Sequence, residues 1–480
     1  EGRMALVGGT LATQETRVRT QRLALRLAVG AAGKAVALSW PRVDLESARS
    51  RVPSFYGLEA ARAAEGKLPG FDELRDRAER GGRGRLGWHA PERPDLAIDD
   101  TEYDLAVLGA VHDGDRSAST GAARYLLAAN PHLERAIRAR GRRWILRGWT
   151  ASDGLVDPDE EALDALSKHA MGARPFSPTA LENFSVCPYK FFLQAVHRIQ
   201  PREDAEALET IDPLTKGALF HEVQFVTLTA LRDGGHLPLD PAHLEAAFAL
   251  LDRSVDHVAA AWEEKLAPAI GRVWSDGVNA IRADLREWLR RSTEEARGWV
   301  PYRFELSFGL ADRDRPTADA SSVPAAVRVL DDVLLRGSVD LVERREDGTL
   351  RVTDHKTGKA RVPEESIVWG GKALQPVLYA LAVEEILKKR VSSGRLYYCT
   401  ADGGFGERDI PLDDLSRDAA RNAIGVIARA LKEGFLPAAP GVDGCRWCDY
   451  RPVCGPHEPV RTARKSQERL EDLESLRSIP

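Results

Sequence analysis

The chain has 480 residues, 43% hydrophobic and 29% charged, with 68 basic against 73 acidic side chains and a formal net charge of −5. Length alone allows about three domains of ~150 residues, and the composition excludes disorder as the main state. No run reaches the ~18 apolar residues of a spanning helix, so no membrane is expected, and the near-balanced charge excludes a globally basic nucleic-acid coat but not a local basic groove.

The opening Glu1-Gly2-Arg3 has neither Met nor a charged-then-apolar leader. No signal peptide is therefore expected, and the chain reads as a fragment of something longer. Residues 1–175 read as a mixed α/β piece: a helix over 16–30, a short strand over 35–38, then a Gly/Arg-rich loop over 81–87. Trp144 and Trp149 are candidate core anchors in its polar, helical second half. Gly30-Ala31-Ala32-Gly33-Lys34-Ala35 looks briefly like a phosphate loop. Such a loop needs an earlier Gly, separated from the Gly-Lys pair by four residues, and a hydroxyl after the Lys; Val29 sits four and Ala28 five positions before Gly33 and Ala35 follows the Lys, so no ATP site is expected.

A second region opens at Ser177-Pro178, an N-cap followed by a first-turn proline. Helices are predicted over 178–197, 214–233, 241–267 and 270–297, then strands over 302–309, 327–335, 336–345 and 349–354. The last two are joined by Glu346-Asp347-Gly348-Thr349, a hairpin turn in which Gly supplies the positive φ. A helix over 373–389, strands over 394–400 and 406–410 and a helix over 413–433 complete an α/β order, a mixed sheet flanked by helices. The charged residues 459–480 read as a helical or loose tail.

The chemistry concentrates on that hairpin. Gly337-Ser338-Val339-Asp340 ends one strand, and Val352-Thr353-Asp354-His355-Lys356-Thr357-Gly358-Lys359 follows on its partner. Asp354 and Lys356, two apart, share a face. Two carboxylates converging with an ammonium suit Mg²⁺-assisted phosphodiester hydrolysis: the acids hold a hard cation, and the Lys orients water or stabilises developing charge. Gln375 and Tyr379, i and i+4 on the next helix, present an amide and a phenol on one face. His221, in Gly217-Ala218-Leu219-Phe220-His221, is either a core histidine or an imidazole ligand to the same ion.

Three of the five cysteines crowd into Cys445-x2-Cys448-x5-Cys454, which points to a metal centre in a reducing compartment. The fourth ligand is Cys187, because Cys399 lies in the apolar strand Leu396-Tyr397-Tyr398-Cys399, where a free thiol behaves as a core hydrophobe. Four thiolates suit a 4Fe–4S cluster or Zn²⁺; one distant Cys with a three-Cys loop fits the cluster better.

Together these motifs resemble the RecB-type PD-(D/E)XK nuclease family with a four-cysteine iron–sulfur staple: His221, Gly337-Ser338-Val339-Asp340, Asp354-His355-Lys356, Gln375-x3-Tyr379 and the cysteine set, all in the family's order. The resemblance implies a restriction-endonuclease-like domain over 176–458. In that domain Asp340 and Asp354 bind Mg²⁺ or Mn²⁺ with His221, His355 contributes at the metal through its backbone carbonyl, and Lys356 activates water. Gln375 and Tyr379 position the strand, and Glu305 occupies a strand where the family often has an acid. Residues 1–175 look similar to the end of the helicase-like part of AddB-type subunits, through Leu38-Ser39-Trp40-Pro41-Arg42 and Pro53-Ser54-Phe55. That implies an AddA-like helicase–nuclease partner, single-stranded DNA or duplex ends as substrate, a role in double-strand-break resection and recombination, and a cytoplasmic, nucleoid-associated bacterial location. Tyr189, Lys190, Lys359, Arg446, Tyr450 and Arg451 are candidate DNA contacts. The rival reading is a DNA-end-binding scaffold that does not cut; an intact acid–acid–Lys set argues against it.

Overall fold

The computed structural model describes residues 14–36, 38–41, 54–70, 73, 90–91, 93–112, 121, 123–201, 210–310, 318–330, 332–455 and 457–480, and the chain divides into compact units at 1–129 and 130–480. The described elements of the first unit are helical: α1 (Gln14–Gly30), α2 (Phe55–Glu65), α3 (Asp100–His112) and α4 (Arg124–Ala129). The helix expected over 16–30 is α1. The strand expected over 35–38 is irregular at 35, 36 and 38, with no strand pairing there among the described residues. The loop expected over 81–87 and residues 51–53 lie outside the described residues.

The second unit starts 45 residues or so before the boundary read from the sequence. Its first helix, α5 (Pro131–Ile145), is capped by Asn130, whose side chain accepts the His132 and Leu133 amides at 3.1 Å each. Trp149 is buried, its indole donating to the Ser466 carbonyl at 2.8 Å, while Trp144 is only half-buried. β1 (Gly154–Leu155) and α6 (Glu160–Ser167) follow.

Helix α7 (Pro178–Val186) begins as expected, with Ser177 Oγ accepting the Ala180 amide at 3.3 Å. The single helix predicted over 178–197 breaks at Cys187, which is extended (φ −167°, ψ 120°). The cause is Pro188, whose ring disfavours helical backbone in the residue before it. α8 (Pro188–Phe191) and a π-turn (Phe192–Val196) complete the segment.

Three long helices, α9 (Pro213–Asp233), α10 (Leu244–Leu266) and α11 (Gly271–Glu294), pack against one face of the central sheet. Phe220, Leu251, Trp274 and Trp288 meet Phe304, Leu341 and Tyr397 in that core. The sheet has five strands, β2 (Val300–Phe308), β5 (Gly337–Arg344), β6 (Leu350–Lys356), β7 (Val391–Tyr398) and β8 (Glu407–Pro411), in that spatial order. All neighbours are antiparallel except β6 and β7. The strand expected over 327–335 is instead a side hairpin, β3 (Val327–Val329) and β4 (Val333–Leu335), reversed through Leu330 at φ +46°. The β5–β6 turn forms as expected, with Gly348 at φ +86°.

Parallel neighbours need a crossover, and α12 (Gln375–Leu387) supplies it between β6 and β7. Its residues 376–383 are all buried, as an all-round apolar helix must be. It lies directly on β7: a Cβ on Gly394 would overlap the Pro376 carbonyl oxygen. α13 (Asp414–Glu433) covers the same face, and β9 (Leu436–Pro437) pairs with β1.

The last helices are α14 (Arg451–Cys454), α15 (Glu458–Thr462) and α16 (Glu471–Ser478). Residues 459–480 are not a loose charged tail. Leu470, Leu473 and Leu476 are buried in the main core, three-residue spacing putting them on one side. The charges close on a buried partner: Arg461 and Lys465 reach Asp153 at 2.6 and 2.9 Å.

Candidate active site

The β5–β6 ladder pairs Leu341 with Thr353 and goes no further. Beyond it the strands splay, leaving the His355 amide without a ladder carbonyl. Asp340 supplies the acceptor instead, its Oδ2 taking that N–H at 2.6 Å. Asp340 is thereby fixed beside Asp354, at the matching level that the hairpin implies.

Strand alternation divides the next residues between two faces. His355 points toward the three-helix side, edge-on to Trp288 at 5.7 Å between ring centres, while Asp354 and Lys356 point the other way. His221, midway along α9, reaches the same corner with Nδ1 3.5 Å from Asp340 Oδ2. Potential ligand atoms of His221, Asp340 and His355 all lie within 4.8 Å of one another.

On the other face Lys356 Nζ is 2.6 Å from Asp354 Oδ2 and donates to Gln375 Oε1 at 2.7 Å. Burial would push the ammonium pKa down, but the Asp354 carboxylate beside it dominates and raises it, so Lys356 is charged. Tyr379, one turn on from Gln375, is buried, and its ring packs edge-on to Phe308 at 6.1 Å. Burial, then the Asp354 charge, raises the phenol and keeps it neutral. The residues expected to converge do so.

Burial pushes Asp340 up to about 7, and the Asp354 and Glu305 carboxylates add to this, against the pull of His221 and the His355 amide. Glu305, at φ +50°, accepts the Ser338 hydroxyl at 2.9 Å, which gives it a hydrogen-bonding role in the strand pair. The buried nitrogens of His221 (Nδ1) and His355 (Nδ1 and Nε2) lack hydrogen-bond partners. Orphaned imidazole nitrogens beside carboxylates crowded enough to hold a proton near neutrality fit a divalent cation. Asp340, His221 and His355 bring ligand atoms within 4.8 Å of one another and would hold it, with the Asp354 carboxylate beside Asp340 on the neighbouring face.

One site residue escaped the sequence reading. Glu182 on α7 accepts the Gln375 backbone N–H at 3.0 Å, and burial raises its pKa to about 7 against the pull of the Gln375 N–H and Lys356. The only sequence signal was its position midway between Ser177 and Cys187, five residues from each.

Cys187, Cys445, Cys448 and Cys454 line a single cavity with Tyr189, Lys190 and Glu458. Cys399 is elsewhere, fully buried at the end of β7. Burial raises the Cys187 thiol, and raises Cys445 to about 11 and Cys454 to about 12, with nearby Cys and Glu458 adding to it. These are protonated thiols that a thiophilic metal would deprotonate, and the donor set fits a four-thiolate centre. Of the candidate DNA contacts, Tyr189 stacks on Phe192 at 6.0 Å, Lys190, Tyr450 and Arg451 line the cysteine cavity, and Arg446 lies over exposed Trp447. Lys359 is exposed, three residues past Lys356.

A mixed sheet with two acids, a lysine and a histidine at the mouth of its central hairpin defines a nuclease of the restriction-endonuclease-like class. Residues 175–455 match the PD-(D/E)XK nuclease superfamily, and the chain belongs to it. Over 283 residues (56% of this chain, 22% of the relative) it is 27% identical to the B-type subunit of the ATP-dependent helicase/deoxyribonuclease of Lacticaseibacillus casei. The same-named protein of Carboxydothermus hydrogenoformans is 25% identical over 274 residues (56% and 24%). A CRISPR-associated exonuclease Cas4/endonuclease Cas1 fusion of Leptospira interrogans is 29% identical over 130 residues (25% and 22%). The chain spans less than a quarter of the length of these curated relatives.

Proposed function

We propose that the chain is the nuclease-bearing part of a helicase–nuclease subunit: a Mg²⁺- or Mn²⁺-dependent DNA exonuclease that trims broken ends for recombinational repair. The observation that carries the reading is the convergence of Asp340, Asp354 and the Lys356–Gln375 pair with His221 at the open end of the central hairpin. A divalent cation held by the acids and imidazoles would polarise the phosphoryl group and lower the pKa of the attacking water. Lys356, kept charged by Asp354, stabilises the negative charge that develops on the phosphate. Gln375 holds the ammonium through its Oε1 at 2.7 Å, so the lysine has little reorganisation to undergo as charge develops.

In this reading residues 1–175 are a helicase-like remnant without a phosphate loop, the partner is an AddA-like helicase–nuclease, and the substrate is single-stranded DNA or a duplex end. The four cysteines hold a 4Fe–4S cluster, and the location is the bacterial cytoplasm at the nucleoid. The relatives named as helicase/deoxyribonuclease subunits support this assignment. The test is cleavage of end-labelled single-stranded DNA with Mg²⁺ or Mn²⁺, using anaerobically purified protein beside Asp340→Ala. Metal-dependent cutting lost in the variant is expected; equal cutting by both proteins overturns the reading.

A further inference from the structure

Helix α7 holds the active-site helix and the 3-10 turn just before it (Trp369–Gly371) through two residues one turn apart. The Ser185 hydroxyl donates to the Gly370 carbonyl, and Glu182 Oε1 accepts the Gln375 N–H at 3.0 Å. That amide is the first in α12, one of the four that a helix leaves unsatisfied at its N-terminus. Leu374, which precedes it, offers no side-chain cap. The acceptor therefore comes from a different part of the chain. The Gln375 side chain in turn accepts Lys356 Nζ at 2.7 Å, so the backbone that Glu182 holds is the backbone that aims the lysine's partner.

We infer that Glu182 is a positioning residue for phosphodiester cleavage: its carboxylate oxygen, acting as a remote cap on α12, sets the location of Gln375 and through it the direction of the Lys356 ammonium. The inference rests on the nuclease reading given above.

The opposite end of α7 is tied down as well. Arg477 of α16 donates to the Ser185 and Ala439 carbonyls at 3.0 and 2.8 Å, and the Val186 carbonyl accepts the Gly441 amide at 2.9 Å. The next residue is Cys187, in the cysteine cavity. Glu182 is thus mounted on a helix whose far end is fixed to the loop that carries the other three cysteines. Its carboxylate gives Gln375 a fixed reference that the α12 first turn does not provide by itself.

A neutral isostere keeps the acceptor oxygen, whereas truncation removes it. Glu182→Ala should lower kcat on the order of 10- to 100-fold, because misplacing a reacting group by about an ångström has that effect. KM for end-labelled single-stranded DNA and the calorimetric Kd for Mn²⁺ should stay within about twofold, since no ligand or strand contact is lost. Glu182→Gln should restore kcat to within a few-fold of wild type. Unchanged kcat in Glu182→Ala overturns the inference, and so does a folded Glu182→Gln as slow as Glu182→Ala, which would assign the residue to its charge. If Glu182→Ala fails to fold, Glu182→Gln decides by the same criterion. Failure of the nuclease reading is seen separately, as a wild type that cuts no better than Asp340→Ala.

Discussion

Three acids, two imidazoles and one lysine do different work at the site because their surroundings differ. Lys356 stays charged beside Asp354, whereas Asp340 is driven toward neutrality by burial and by carboxylate neighbours, a strain that a divalent cation would relieve. Lys356→Ala should therefore cost on the order of 10²- to 10⁴-fold in kcat with DNA affinity retained, read from single-turnover cleavage beside a filter-binding titration. A variant that cuts at the wild-type rate would remove the lysine from the chemistry. Asp340, Asp354 and Lys356 were legible in the sequence because alternation along two adjacent strands places them by counting alone. Glu182 was not, since it lies 193 positions from the amide it holds and its spacing to that residue carries no periodicity.

The β6 strand shows the same division at the scale of an element. Its outer half carries the site, and its inner half carries a buried ionic network on the three-helix side. Arg351 binds Glu343 through two hydrogen bonds of 2.8 and 2.9 Å, Arg395 reaches Glu343 at 3.0 Å, and the Thr353 hydroxyl donates to Glu343 at 2.7 Å. Burial alone would raise the Glu343 pKa; the two guanidiniums overcome it and hold it at about 2. An acid whose folded-state pKa is depressed stabilises the fold above its ordinary value near 4.5 and loses that contribution as pH falls toward 2. The network should contribute roughly 3 kcal/mol above pH 4.5 that vanishes across this window. Urea melts between pH 6 and 2.5 on wild type and Glu343→Gln would show it, and parallel acid profiles would refute it. Nothing in the sequence singles these charges out, because Glu343 and Arg395 are brought together by strand pairing across 52 positions. Helix and strand order was largely recoverable; the break at Cys187 was also written locally, in Pro188, whereas the folding-back at Leu330 needed tertiary partners that local patterning does not reveal.

The second unit as a whole is closed by its late residues. Leu470, Leu473 and Leu476 complete the main core, and Arg461 with Lys465 neutralises Asp153. Breaking such a buried pair from one side costs about 3–5 kcal/mol, so Arg461→Ala should lower the melting temperature by several degrees or more. Composition suggested a tail here because charged residues dominate the count, while the few leucines that decide the packing were hidden among them. At the other closure, Cys187→Ser should abolish metal-dependent visible absorption and lower thermal stability, since metal binding energy in such a centre is folding energy. A Cys187→Ser protein with unchanged colour and melting temperature would exclude Cys187 as a ligand.

The contact between Gly394 and Pro376 has a mechanical reading. The gap between strand β7 and the helix that carries Gln375 is a tolerance set by an atom that is missing, because a methyl group there would overlap the Pro376 carbonyl oxygen. Gly394→Ala must lift the start of α12, and the lysine–glutamine spacing of 2.7 Å opens with it. Cleavage should slow by more than the loss of stability accounts for, measured as kcat at a temperature where the variant is fully folded. The clearance that governs the rate would then be gauged at a position with no functional group at all, one that a search for reactive side chains would pass over.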